Sequence, residues 1–297
     1  MGKAAPPAPI LKRLEAHGLK ASRRALGAIL TERDKQAFTL AEVIDLQLPG
    51  PQGALTARLY EPVGEVQSPG LLLFFHGGGF TFCDTGTHDA LCRRLAHGSG
   101  LPILSVDYRL APEHPWPAQR DDAEAAIRWV LGNRPALPGD AGPLILGGDS
   151  AGGYLALDLA RQVNGEAPGA IALTCLIYPL LHLDDGVWST DSKGLRPLGR
   201  AAVSLIRTRL SGPPPNLLDA DPAMDPPCVL TYGGLADPVS PDCAAYEAAL
   251  KSAGVGVHSA TFKALPHGYA NMTHLLPAAR SAIDQTANLL RQAASQV

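Results

Sequence analysis

Leu144 to Ala160 reads LILGGDSAGGYLALDLA: an apolar run meets Gly147-Gly148-Asp149-Ser150-Ala151-Gly152-Gly153 and passes into a helical pattern. A buried strand (Leu144, Ile145, Leu146) that must reverse into a helix within a few residues makes a sharp turn, and the crowded backbone there tolerates little but glycine. Gly148 and Gly152 lie two residues before and two after Ser150. This G-x-S-x-G spacing, between a strand and a helix, puts a serine hydroxyl on an exposed, strained turn. Leu155, Ala156, Leu159 and Ala160 follow at helical spacing. The N-terminus of their helix places partial positive charge beneath the serine, where an oxyanion would be stabilised. A short motif alone is also compatible with a glycine-rich turn that happens to contain a serine, so the rest of the chain decides.

Upstream, Gly70-Leu71-Leu72-Leu73-Phe74-Phe75 is a continuous apolar run that stops at His76-Gly77-Gly78-Gly79-Phe80. Such a run predicts a strand buried on both faces. Consecutive glycines at its end leave backbone N–H groups unshielded, either for close packing or for developing negative charge. Leu101 to Val106 predicts the next buried strand, leading into DYRLAPEHPWPA at 107–118, which three prolines stiffen. Asp107, Arg109 and Glu113 in this loop are expected to form a structural ion-pair network. A helix is predicted from Gln119 to Leu131, and a buried strand from Ile171 to Pro179. The polar, irregular segment from Leu183 to Pro215 carries one modest helical pattern, Ala201 to Leu210, and reads as an insertion.

Cys228 to Tyr232 resumes the strand pattern and delivers Asp237; Ser240 is expected to cap a helix with Pro241 at its first position. A strand from Val257 to Phe262 delivers His267, and Pro277 opens a closing helix. At the other end, Ile10, Leu11 and Leu14, then Leu19, Leu26, Ile29 and Leu30, predict two short amphipathic helices separated at Gly18. Their apolar faces would either pad the core or cover a substrate. Val43 to Leu48 and Leu55 to Tyr60 alternate around a Pro/Gly turn, the pattern of an antiparallel hairpin. Strands alternating with helices imply a mostly parallel sheet with helices on both faces, and ligands bind at the carboxyl ends of such strands.

The 297 residues carry 18% charged side chains and a net charge of -3, with no long charge run, which recommends neither nucleic acid nor an anionic membrane as a partner. The N-terminal residues lack the apolar core of a signal peptide, and Pro6 occupies the position where a myristoylation signal needs Ser or Thr. The apolar stretch Ala170 to Leu181 is too short to span a bilayer. A soluble, cytoplasmic protein is expected. The five cysteines are odd in number and lack C-x-x-C spacing, and the histidines show no H-E-x-x-H pattern, so neither a disulfide framework nor a metal is expected. Cys175 and Cys228 lie in strand-like runs and are expected in the core.

Ser150, Asp237 and His267 each follow a predicted strand, in the order nucleophile, acid, histidine. Asp242 is the rival acid, but at a helix start it has a simpler role as a capping charge. HGGGF at 76–80, DYRLAPEHPWPA at 107–118, GDSAGG at 148–153, DPV at 237–239 and HGY at 267–269 together resemble the hormone-sensitive-lipase-like (bacterial type IV) esterases of the α/β-hydrolase superfamily. The chain departs from that pattern at Val239-Ser240-Pro241-Asp242, where relatives carry Leu and then an acidic pair.

The resemblance implies an α/β-hydrolase fold with a small helical cap: residues 1–42 as N-terminal cap segment, 43–297 as catalytic domain, and 183–215 contributing to the cap. It implies a Ser150–His267–Asp237 triad, an oxyanion hole from the N–H groups of Gly77, Gly78 and Ala151, and no cofactor. A small ester is the expected partner, with acyl chains of roughly two to eight carbons. Phe80, Phe82 and Tyr269 are expected either to narrow the pocket or to face the core. Relatives often dimerise, so a homodimer stays open. Amidase, lactonase and deacetylase activities would use the same residues, and a non-catalytic binding protein could share the fold.

Overall fold

The structure is a computed structural model that describes residues 8–30, 38–64, 70–139, 142–184, 196–212, 214–234 and 237–297, with the backbone alone at 8–17 and 196–202. Helix α1 (Ala8–Leu30) comes first, and strands β1 (Leu40–Gly50) and β2 (Gly53–Pro62) form the predicted antiparallel hairpin. Then β3 (Leu71–Phe75), α2 (Asp89–Ser99), β4 (Ile103–Val106), α3 (Ala118–Asn133), β5 (Leu144–Asp149), α4 (Ala151–Glu166) and β6 (Leu173–Ile177) alternate. Helix α5 (Arg196–Leu210) lies in the insertion, and β7 (Cys228–Gly233), α6 (Ser240–Ser252), β8 (Val257–Phe262) and α7 (Pro277–Ala294) complete the chain.

One sheet holds the eight strands in the order β1-β2-β4-β3-β5-β6-β7-β8, antiparallel from β1 through β4 and parallel from β4 to β8. Every residue of β3 to β7 is buried, as continuous apolar strands covered on both faces require. The chain steps outward from β3 to β4 and then reverses direction across the sheet. Right-handed crossovers therefore put α2 on one face and α3, α4 and α6 on the other, and α7 returns to pack on α2. The carboxyl ends of the parallel strands all open at one end of the sheet, the topological site for a ligand.

The N-terminal segment differs from expectation in two respects. One helix replaces the two predicted, running through Gly18, and β1 begins at Leu40 rather than Val43. A single glycine costs a helix about 1 kcal/mol, which the helix-forming residues around it (Glu15, Ala16, Leu19, Lys20) absorb. Leu19 is buried, but Ile29 is exposed, and the side chains of Ile10, Leu11 and Leu14 lie outside the described residues. Helix α6 differs too: Ser240 is its first residue rather than its cap, and its hydroxyl donates to the Gly233 carbonyl at 3.2 Å. Cys175 and Cys228 are buried and free, as expected.

Candidate active site

Ser150 sits between β5 and α4 with φ +51° and ψ −115°, a conformation an L-residue adopts only under constraint. The constraint comes from its neighbours. A Cβ on Gly152 would lie 1.8 Å from the Phe75 carbonyl oxygen, and one on Gly148 would lie 2.4 Å from the Gly152 backbone. The turn is tied down by Ser150 N–H donating to Ile177 at 3.0 Å and by Leu180 N–H donating to the Ser150 carbonyl at 2.9 Å.

Two loops bring the partners. Ser150 Oγ lies 2.8 Å from His267 Nε2, and His267 Nδ1 lies 2.9 Å from Asp237 Oδ1. Asp237 is fully buried, and its oxygens also accept the N–H groups of Val239 (3.1 Å) and Gly233 (3.3 Å). With Nδ1–H donating to a carboxylate, Nε2 is left as the acceptor for the serine proton. Asp242 faces elsewhere, with Oδ2 3.4 Å from His182 Nε2.

The glycine loop corrects one expected role. Gly77 N–H donates to Asp149 Oδ1 at 2.8 Å, so it is committed to a buried carboxylate and has no proton left for a substrate oxygen. Among the described residues, the N–H groups of Gly78, Gly79 and Ala151 take part in no hydrogen bond. Ala151 is the first residue of α4, where N–H groups have no acceptor within the helix. Gly79, which sequence reasoning passed over, has φ +60°, a left-handed value that glycine adopts freely. The signal was present in the third glycine of the run.

Two of the three aromatic candidates take the second of their two expected places, in the core. Phe80 has no exposed surface and meets Trp116 and Tyr154 edge-on at 5.8 and 5.9 Å. Tyr269 is likewise fully buried, against Tyr178 at 4.8 Å and Phe262 at 5.5 Å. Both fill the core behind the site rather than wall a pocket, because surrounding rings cover them completely. Phe82 is partly exposed beneath the Arg209 guanidinium of α5, 5.4 Å from its ring centre. The expected ion-pair network in the proline-stiffened loop is also divided. Arg109 pairs with Asp122, Asp107 accepts from Thr85, and Glu113 pairs with Arg23, so each charge ties the loop to a different element.

Both extra helices grip the glycine loop. Arg23 of α1 donates to the Thr81 and Ala111 carbonyls, each at 2.8 Å, and forms a two-pronged bond with Glu113. From α5, Ile206 approaches so closely that a Cβ on Gly79 would lie 2.7 Å from its Cδ1. Trp116 N–H donates to the Leu210 carbonyl at 3.2 Å. Among the described residues, no group of three or more His, Cys, Asp or Glu side chains stands where it could hold a metal ion.

A sequence profile of the α/β-hydrolase fold matches residues 72–271. The chain belongs to the hormone-sensitive-lipase-like esterase family. Within that family it is 34% identical over 262 residues to esterase LipI of Mycobacterium tuberculosis, spanning 84% of this chain and 81% of the relative. It is 30% identical over 265 residues to the ethyl acetate hydrolase of Pseudomonas putida, spanning 84% and 82%. The hyperthermophilic esterase of the archaeon Pyrobaculum calidifontis superposes with a TM-score of 0.83 at 30% identity, over 97% of this chain and 99% of that one. In this esterase family member, no helix among the described residues is long and apolar enough to cross a membrane.

Proposed function

We propose that this chain is a carboxylesterase acting on small, short-chain carboxylic esters through an acyl-enzyme on Ser150, with His267 as general base and acid and Asp237 as its carboxylate partner. The observation that carries the proposal is the unbroken line from Ser150 Oγ through the His267 ring to Asp237, at 2.8 and 2.9 Å. Ser150 Oγ attacks the ester carbonyl carbon while its proton passes to His267 Nε2. Asp237 keeps the other ring proton on Nδ1 and offsets the positive charge that develops. The carbonyl oxygen, now an anion, takes hydrogen bonds from the N–H groups of Gly78, Gly79 and Ala151. The bond to the alcohol oxygen then breaks, and His267 returns the proton to the leaving group. Water repeats the sequence on the acyl-enzyme and releases the acid.

Helices α1 and α5 form the cap over this site, and their hold on the glycine loop supports that reading. Short acyl groups are favoured by the close approach of Ile206 to Gly79 and by a relative that hydrolyses ethyl acetate. Phe82 is the aromatic side chain that lines the pocket. A series of chromogenic esters of increasing acyl length tests the proposal, with Ser150→Ala as the control. Turnover should be fastest at roughly two to eight acyl carbons and absent in the variant. Faster turnover of emulsified long-chain triglyceride would overturn the short-chain preference. Comparable turnover of the matching anilides would make the chain an amidase, and inertness toward every ester would make it a binding protein.

A further inference from the structure

Asp149 and His88 are ionisable side chains with 3% and 0% of their surface exposed, and the chemistry above uses neither. Asp149 immediately precedes the nucleophile, and His88 precedes α2. His88 Nε2 lies 3.0 Å from Asp149 Oδ1, the oxygen that accepts Gly77 N–H. Asp149 Oδ2 accepts the Tyr178 hydroxyl at 3.2 Å.

The side chains around His88 fix its orientation. Thr87 Oγ1 has one proton, which it donates to the Asp84 carbonyl at 2.7 Å, and it accepts the Asp84 N–H at 2.9 Å. The same oxygen lies 3.1 Å from His88 Nδ1 and so fixes the plane of the ring. Nε2 faces a carboxylate oxygen, which can only accept, so the Nε2 proton points at Asp149. The Asn271 side-chain amide, 2.9 Å from Nε2, can turn its oxygen toward that same proton. His88 is thus a buried ring whose Nε2 is held against a buried carboxylate. Burial works to raise the Asp149 pKa, but the charge and hydrogen bond of His88 and the Gly77 N–H outweigh it and hold the carboxyl below the usual range. The His76 ring, 5.6 Å from that of His88, has its pKa lowered, by burial first and by the neighbouring His88 second. Its Nδ1–H donates to the Gly77 carbonyl at 2.8 Å, so Gly77 is held at both its N–H and its C=O.

We propose that His88 and Asp149 are the positioning pair of the glycine loop: His88 holds Asp149 Oδ1 in line with Gly77 N–H, which sets the following peptides so that Gly78 and Gly79 N–H face the oxyanion formed at Ser150. The proposal rests on the esterase reading above. Removing one partner of a buried hydrogen-bonded pair leaves the other with an unsatisfied polar atom. Loss of the His88 ring would lead Asp149 to take up a proton or turn away, and Gly77 would lose its charged acceptor.

The test uses His88→Gln and Asp149→Asn in the full chain, with kinetics on a soluble short-chain ester, the inhibition constant of a trifluoromethyl ketone that forms a tetrahedral oxyanion on serine, and thermal melts. Because loss of an oxyanion donor costs on the order of 10²-fold, both folded variants should lose about that factor in kcat, with KM within about threefold and ketone affinity falling in proportion. His88→Ala should lose more than His88→Gln, which can still donate one hydrogen bond. A kcat within about threefold of wild type in the folded variants, or a raised KM with unchanged ketone affinity, overturns the proposal. If no variant folds, proton NMR of the wild-type chain with ¹⁵N-labelled histidine decides: a slowly exchanging proton on His88 Nε2 supports the pair, and an Nε2 that carries none overturns it. Turnover retained by Ser150→Ala in the same assay would instead sink the esterase reading, while the NMR measurement still decides the His88–Asp149 bond.

Discussion

Asp242 Oδ2 stands 3.4 Å from His182 Nε2, while Asp237 Oδ1 stands 2.9 Å from His267 Nδ1. Two aspartates five positions apart therefore serve two different histidines. Asp237→Asn should lower kcat on the order of 10⁴-fold by spoiling the tautomer of His267, whereas Asp242→Asn should stay within about threefold of wild type. Steady-state kinetics on one soluble ester checks both, and the reverse ranking would reassign the acid.

The pairing of His182 predicts a pH-dependent clasp at the base of the insertion. His182 faces Asp242 on Nε2 and Asp184 on Nδ1 (3.2 Å), and Asp184 also accepts from Asn216 across the insertion. The hydrogen bond to Asp242 raises the His182 pKa against the opposing effect of burial, and the charges of both aspartates add to it. A folded pKa above the unfolded value of about 6.5 means that the stabilisation is fully present below that pH and is lost as pH rises through the folded value. His182→Gln should therefore lower Tm by roughly 1–3 °C near pH 5.5 and by less near pH 9. A penalty that grows with pH would show that the clasp does not depend on charge.

Arg23 joins α1 to the glycine loop through the Thr81 and Ala111 carbonyls and through Glu113. Arg23→Ala should raise KM roughly threefold or more while kcat stays within about twofold, because it loosens the cover over the substrate and not the chemistry. Its effect on Tm should be small, since a half-exposed ion pair is worth about 0–1 kcal/mol. Deleting residues 1–37 should leave the sheet folded, since β1 starts at Leu40, but raise KM further and promote aggregation through uncovered apolar surface. Unchanged kinetics in both would reduce α1 to packing.

Gly152 and Gly165 both lie in α4, and alanine should act on them in opposite directions. At Gly152 the new Cβ would meet the Phe75 carbonyl oxygen at 1.8 Å, whereas at Gly165 it would meet nothing within 4 Å. Gly152→Ala should abolish soluble folded protein or lower Tm by more than about 10 °C. Gly165→Ala should raise stability by about 0.5 kcal/mol. Circular-dichroism melts of the two variants check the contrast.

Much of this site was legible because its determinants are local. The turn at Ser150 announces itself through glycines two residues to either side, which the backbone crowding at Phe75 and Gly152 demands. The buried strands were legible as unbroken apolar runs, and all residues of β3, β5 and β7 are indeed covered. The N-terminal helix was misread at Gly18 because glycine weakens a helix without ending it when good helix formers continue on both sides.

The sequence by itself determined the succession of strands along the chain, the strained serine turn, and the placing of Asp237 and His267 just beyond strand ends. These follow from periodicity and backbone sterics within short windows. Only the tertiary structure decided that Gly77 N–H is committed to Asp149, 72 residues downstream. It alone decided that Phe80 and Tyr269 lie in the core, that Asp242 turns to His182, and that His88 meets Asp149 behind the glycine loop. Whether a donor is free or a ring is covered depends on partners supplied by distant segments, and no local pattern specifies which of many compatible partners the packed chain brings within hydrogen-bond distance.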